Sequence, residues 1–238
     1  VTFPDFPAPQ TVALADALDW LASPDWCYER KADGCRARLA GGELAGRARR
    51  YALPGELPPA LARVTLDGEL CRRTYYAFDM LEAGGDDLRP LPLRERKRRL
   101  AALAPLFPAW LRLIPTAPPG MSGGEYLLAT LAAGGEGVCA KHLAGRYGQG
   151  WLKTKVRPSF DVVATGKAAD RQSVAIAQYA DGELVPCGNV AVPARAFASI
   201  RPGSVVEITA QGRTRGGRFR EPAFLRLRTD KPATACTI

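Results

Sequence analysis

Histidine is nearly absent from this chain of 238 residues, methionine occurs twice and lysine seven times. The lone histidine, His142, leaves little to complete a zinc site. The six cysteines (27, 35, 71, 139, 187 and 236) contain no C-x-x-C pair that could supply one. Long apolar runs are also missing. Stretches such as Leu127-Leu128-Ala129 fall far short of the roughly 20 residues that span a bilayer, so no membrane partner is expected. The opening Val1-Thr2-Phe3-Pro4-Asp5 carries neither a basic n-region nor an apolar core. A cytoplasmic setting with buried free thiols is therefore expected, although a leader already removed would leave the same sequence. Disorder is excluded by ordinary globular values, 47% hydrophobic and 24% charged. With 24 glycines and 20 prolines, the chain should be rich in turns rather than a helical bundle.

The shortage of lysine is informative because arginine, at 26, is abundant. The net charge is +9, divided as +5 over residues 1–157 and +4 over 158–238, which suggests a polyanionic partner. Where arginine carries most of the positive charge, lysine should be kept for places arginine cannot serve. Those need an amine that can lose its proton, or a compact point charge.

Periodicity predicts an amphipathic helix over 11–22, with Leu14, Leu18 and Leu21 on one stripe. A strand over 26–31 should run into the turn Asp33-Gly34, with a second strand reaching Leu39. Further strands are expected over 64–70, 74–79, 137–141 and 150–156, and a short helix over 125–133. Residues 92–104 predict a basic helix whose charged side over 94–99, including Arg96 and Lys97, is expected to face solvent, with a DNA contact as the alternative. Beyond Arg157-Pro158-Ser159 short β-rich runs take over (160–165, 173–179, 205–210, 224–227), with one short helix over 193–199. Two domains are expected, 1–157 and 158–238, the second a small barrel, the OB type among the candidates.

Several residues could carry chemistry. Lys31 stands at a strand end before a tight turn and near Arg36, where a lowered pKa would make its amine a nucleophile; a plain surface hairpin has the same pattern. Asp67-Gly68-Glu69 puts an acid after a turn, able to hold a ribose or a divalent metal. Phe78 could stack on a purine or simply pack in the core. Glu136 and Lys141 form a further acid and lysine pair in sequence. Lys153 and Lys155 share one strand face, where two like charges invite an anion such as phosphate.

Taken in order, Lys31-x-Asp33-Gly34-x-Arg36, Asp67-Gly68-Glu69, Tyr75-Tyr76-x-Phe78-Asp79, Glu136-Gly137-Val138, Leu152-Lys153-x-Lys155 and Arg228-Thr229-Asp230-Lys231 resemble the motifs of the covalent nucleotidyltransferases: ATP-dependent DNA ligases, RNA ligases and mRNA-capping enzymes. The resemblance covers about residues 25 to 231, and five of the seven lysines (31, 141, 153, 155 and 231) fall within it. Leu88-Arg89-Pro90-Leu91-Pro92-Leu93 after Phe78-Asp79-Met80-Leu81 is similar to DNA ligases in particular, of a minimal bacterial or viral ATP-dependent type without accessory domains. RNA ligases, or ligases accepting RNA at the nick, share the same motifs. A capping guanylyltransferase and a non-catalytic OB-containing nucleic-acid-binding protein are more distant alternatives.

The resemblance implies an α+β fold: an ATP-grasp-like nucleotidyltransferase (adenylation) domain of antiparallel sheets with flanking helices, followed by an OB-fold barrel. It implies Lys31 as the lysine that takes AMP from ATP, Lys153 and Lys155 at the α-phosphate, and Glu69 and Glu136 at Mg²⁺. Phe78 would stack on adenine, Glu29 read its amino group and Arg36 the ribose. Lys141 and Arg47 would contact the nucleotide, with Arg47 preferred over Arg49 and Arg50 in a segment that only approximates the family's. Arg228 and Lys231 would orient pyrophosphate. The loop bearing Arg213, Arg215, Arg218 and Arg220 would grip the phosphates of nicked duplex DNA, a solvated basic hairpin being the alternative, and the enzyme would act as a monomer.

Overall fold

The structure, a computed structural model, describes residues 6–238; the reading of residues 1–5 as lacking a signal lies outside the described residues. The chain divides into two compact units, Val1–Val156 and Arg157–Ile238.

The first unit contains, in chain order, β1 (Gln10–Thr11), α1 (Leu18–Ala22), β2 (Trp26–Arg30), β3 (Cys35–Ala40), β4 (Glu43–Ala45), β5 (Arg50–Tyr51), β6 (Val64–Cys71) and β7 (Thr74–Ala83). It continues with β8 (Asp86–Asp87), α2 (Leu93–Leu103), β9 (Leu111–Leu113), α3 (Gly123–Ala132), β10 (Gly137–His142) and β11 (Trp151–Lys155). One sheet has the order β1-β11-β10-β2; the other runs β5-β4-β3-β6-β7-β8, with β9 parallel to β7. The larger sheet buries Leu39, Leu66, Tyr75 and Met80 against Leu100 of α2. The smaller buries Tyr28 and Val138 against Leu127 of α3 and Trp20 and Leu21 of α1. Helix α3 starts on a capping box: Ser122 accepts from the Glu125 backbone N–H, and the Glu125 carboxylate accepts from that of Ser122.

Two local expectations are corrected. The helix predicted over 11–22 is broken: Thr11 pairs with Lys153 in the sheet, residues Leu14–Asp16 form a single 3₁₀ turn, and α1 has five residues. The buried stripe is Ala17, Trp20 and Leu21, at i, i+3 and i+4, which leaves Leu14 and Leu18 exposed. Asp67-Gly68 is not a turn but the middle of β6. A side chain at Gly68 would lie 2.5 Å from the Tyr76 carbonyl oxygen and 2.6 Å from the Tyr75 ring. The glycine answers to that close approach, and the ladder shifts register beside it.

The second unit is an antiparallel sheet of β12 (Ser159–Ala168), β13 (Ser173–Ala180), β14 (Glu183–Ala191), β15 (Val205–Thr209) and β16 (Ala223–Arg228), with α4 (Ala194–Ser199) between β14 and β15. The order is β14-β13-β12-β15-β16, over a core that includes Val162, Ile176, Val190, Val206 and Ile208. The sheet-rich α+β class holds. The expected closed barrel is not found: β14 and β16 are the edges, and no pairing among the described residues joins them. Strand β14 escapes the sequence pattern because Pro186 and Gly188 interrupt it. An edge strand tolerates both, and its first four residues are exposed. All six cysteines are free thiols; Cys187 and Cys236 are buried and the other four half-buried.

Candidate active site

Strand β2 delivers Lys31 one residue beyond its end. There the Lys31 backbone N–H donates to the Gly137 carbonyl at 3.0 Å and keeps the chain on β10. The Lys31 ammonium pairs with Glu136, which directly precedes β10. The other Glu136 oxygen takes Lys155 of β11 at 2.7 Å. Burial pushes Glu136 up, but the two lysines outweigh it and hold the carboxyl below its ordinary value. Across the ladder from Arg36 sits Glu69 on β6. Burial there pushes Glu69 up to about 7, against the pull of Lys31, Arg36 and the Gly34 backbone N–H.

Lys31, Glu69, Phe78, Trp151 and Lys153 line one cleft, together with Glu29 and Arg36. Phe78 meets Trp151 edge-on at 5.6 Å. Behind them the Lys141 ammonium lies 3.8 Å from the Phe78 ring centre and 4.5 Å from that of Trp151. Lys141 itself is buried and does not reach the cleft wall. It pairs at 2.9 Å with Glu29, whose other oxygen meets Lys97 of α2. Burial alone would raise Glu29, yet Lys141 and Lys97 bring it below the usual carboxylate value.

Arg36 is fixed from several sides. It donates twice to the fully buried Asp67, at 2.7 and 3.1 Å, and once to the Pro7 carbonyl. The Tyr147 hydroxyl completes the Asp67 shell at 2.5 Å. Arg47 stands off the cleft, exposed, and donates to the Phe6 carbonyl at 3.1 Å.

In the second unit Arg228 pairs with Asp230 at 2.7 Å and Asp161 at 3.3 Å, and Lys231 pairs with Asp161 at 2.8 Å. The arginine loop is not uniform. Arg215, Arg218 and Arg220 are exposed. Arg213 turns inward over the Phe219 ring at 4.2 Å and donates to Gln178 and, at 2.6 Å, to the Gly217 carbonyl. Its guanidinium, one of the four expected at DNA, is already held by a ring face and two acceptors.

Sequence reasoning missed Trp151, Tyr147, the buried Asp67 and Lys97. Trp151 was within reach, since in Trp151-x-Lys153-x-Lys155 alternate residues share a strand face. Lys97 was within reach of the lysine-scarcity argument, which the basic helix obscured. Arg96 and Lys97 point inward rather than to solvent. Arg96 is clamped on Asp79 at 2.8 and 2.9 Å, and the stripe Leu93, Arg96, Lys97, Leu100 follows the helical repeat. No cluster of three or more His, Cys, Asp or Glu able to hold a metal occurs among the described residues.

No protein-family model matches the chain. DNA ligase B of Mycobacterium tuberculosis (strain H37Rv) is 33% identical over 207 residues, covering 69% of this chain and 40% of that protein. A probable DNA ligase of Mycolicibacterium vanbaalenii is 41% identical over 104 residues, 42% of this chain and 19% of that protein. The chain thus spans about 40% of the length of the curated relatives it matches most extensively. Among solved structures, a Lig E DNA ligase described as binding DNA with a minimal scaffold matches with a TM-score of 0.66 and 20% identity, over 93% of this chain and 99% of that one. The ligase domain of M. tuberculosis LigD matches with a TM-score of 0.51 and 23% identity, over 97% and 98%. The fold is therefore that of these solved ligase structures. In sequence the chain is similar to part of the mycobacterial DNA ligases, in keeping with the order of its motifs.

Proposed function

We propose that this chain is an ATP-dependent DNA ligase unit that seals 5′-phosphate/3′-hydroxyl nicks in duplex DNA, working as a cytoplasmic monomer. The observation that carries the reading is the meeting of Lys31, Glu69, Phe78 and Lys153 on one cleft, with Glu136 paired to Lys31. The Lys31 amine attacks the α-phosphorus of ATP and forms a lysyl-AMP phosphoramide, a step closed to arginine, which stays protonated. Glu136 orients the amine and lies within reach of its proton. Lys153 and Lys155 neutralise the α-phosphate, while Phe78, with Trp151 edge-on beside it, stacks on the base.

Of the two acids Glu69 is the readier ligand for a divalent ion, since both Glu136 oxygens are held by Lys31 and Lys155. Glu69 is a largely buried carboxyl raised to about 7 with no salt bridge among the described residues, and both acids offer hard oxygen donors. Glu69 and Glu136 would hold Mg²⁺, which supplies charge neutralisation on the triphosphate. Arg228 and Lys231, now held by Asp161, orient the leaving pyrophosphate, which requires the second unit, read as an OB-type domain, to close on the first. AMP then passes to the 5′-phosphate at the nick, and the 3′-hydroxyl displaces it. Arg215, Arg218 and Arg220 grip the duplex backbone.

The test is a gel with a labelled nicked duplex, ATP and Mg²⁺, beside duplexes with RNA on either side of the nick. Sealing of the DNA nick, lost in Lys31→Ala and with EDTA, is the expected result. Sealing only at RNA-containing nicks would replace this reading by an RNA ligase.

A further inference from the structure

Glu29 is charged, 2% exposed and shared by two lysines, although one would neutralise it. Burying a second ammonium costs desolvation, so Lys97 needs a reason beyond charge balance. Its direction is set by the helix that carries it. Arg96, 2% exposed and doubly bonded to Asp79, fixes the rotation of α2 about its axis and aims Lys97 at β2. Lys97 does not line the cleft, whereas Glu29 and Phe78 do. A continuous chain of interactions therefore runs from α2 through Lys97, Glu29 and Lys141 to the Phe78 ring at the base-stacking wall.

A carboxylate oxygen has more than one acceptor direction, so a Glu29 held by both lysines still presents an acceptor edge. A purine with an amino group at its six-position can donate to that edge. A purine with a carbonyl there meets it oxygen to oxygen. Discrimination of this kind depends on the carboxylate staying charged and not swinging away, and each oxygen has one lysine to hold it. Burial would depress Lys97, but Glu29 more than offsets this and keeps it above its ordinary value, consistent with a permanent charge.

We propose that Lys97 is a positioning residue for base selection: it anchors one oxygen of Glu29 so that the carboxylate accepts adenine and rejects guanine. This rests on the reading of the cleft as the ATP site of a ligase. The experiment is enzyme adenylation or guanylation with α-labelled ATP and GTP over a concentration series, for wild type, Lys97→Met, Lys97→Arg, Glu29→Gln and the double variant Lys97→Met/Glu29→Gln.

Lys97→Met should raise the KM for ATP roughly tenfold with little change in maximal rate, and lower the ATP-to-GTP preference about tenfold. Lys97→Arg should keep the preference within about threefold, because it restores the charge. In the double variant the preference should be no lower than in Glu29→Gln alone, since Lys97 acts through Glu29. Should Lys97→Met not fold, Lys97→Gln gives the same readout with an intermediate preference. An unchanged preference in either variant, with labelling by both nucleotides falling in step, overturns the proposal and makes Lys97 a purely structural residue. A wild type that takes label from neither nucleotide overturns the ligase reading itself, and this inference with it.

Discussion

The cleft of the first unit and the arginine loop of the second use positive charge in opposite ways. In and behind the cleft four lysines are partly or wholly withdrawn from water and matched to carboxylates, Lys31 and Lys155 on Glu136 and Lys97 and Lys141 on Glu29, beside Arg36 on Asp67. In the loop the cations are arginines, and Arg215, Arg218 and Arg220 stand exposed. A withdrawn ammonium can be tuned by its neighbours and can lose its proton, which suits bond-making at a single atom. An exposed guanidinium keeps its charge at every working pH, and its fork matches a phosphate, which suits holding a long polyanion. Arg213 shows the limit of reading such a loop by composition, because its charge is spent inside the unit.

The comparison can be broken most sharply at Lys31. Lys31→Arg keeps the positive charge and should still abolish labelling by ATP, a loss of more than about a thousandfold, because guanidinium cannot become the nucleophile. Residual labelling of that variant would remove Lys31 from its role. Next in size are the acids: Glu69→Ala and Glu136→Ala should each lose roughly a hundredfold in adenylation while circular dichroism shows them folded. Near-normal rates at limiting Mg²⁺ would make either residue structural.

The loop should respond differently, with enzyme adenylation nearly intact. Replacing Arg215, Arg218 and Arg220 by alanine should weaken nick binding and flatten the slope of log affinity against log salt by about 0.9 for each DNA phosphate no longer neutralised. Arg213→Ala should instead lower the melting temperature and leave the slope unchanged. Lys231→Ala separates the steps: it should seal pre-adenylated nicks far better than plain nicks with ATP, and equal failure on both would remove Lys231 from the pyrophosphate step.

The smallest effect concerns pH. Glu69 has a raised value in the fold, about 7 against about 4.5 in the unfolded chain. The folded protein therefore binds the extra proton between these values. The stability this provides is complete below about pH 4.5 and lost as pH rises through about 7. Melting curves of Glu69→Gln should lack that decline, and a wild-type profile parallel to the variant's would contradict the assignment.

How far the sequence could be read depended on the kind of signal. The strand leading to Lys31, the alternation of Lys153 and Lys155, and the body of helix α3 depend on residues close in the chain, so local patterns disclosed them. What stayed hidden depended on distant partners. Asp67-Gly68 has the composition of a turn, and only the Tyr76 carbonyl and the Tyr75 ring packed on it explain the glycine. Lys97 and Arg96 have the spacing of a solvated helix face, and only Glu29 and Asp79, brought over from β2 and β7, turn them inward. Leu14 and Leu18 offered the stronger apolar stripe, but Ala17 and Trp20 fitted the space over α3 and the small sheet. The edge strand β14 was concealed by a proline that only an edge can accept.

The central claim is that Lys31 is the nucleophile of a ligase-type adenylation. Its most direct measurement is peptide mass spectrometry of the wild-type protein after incubation with ATP and Mg²⁺, locating any added AMP. One adduct is expected, acid-labile as a phosphoramide should be, on the peptide containing Lys31 and absent when ATP is omitted. An adduct on another lysine such as Lys141 or Lys153, or no adduct under conditions in which the protein seals nicks, would contradict it.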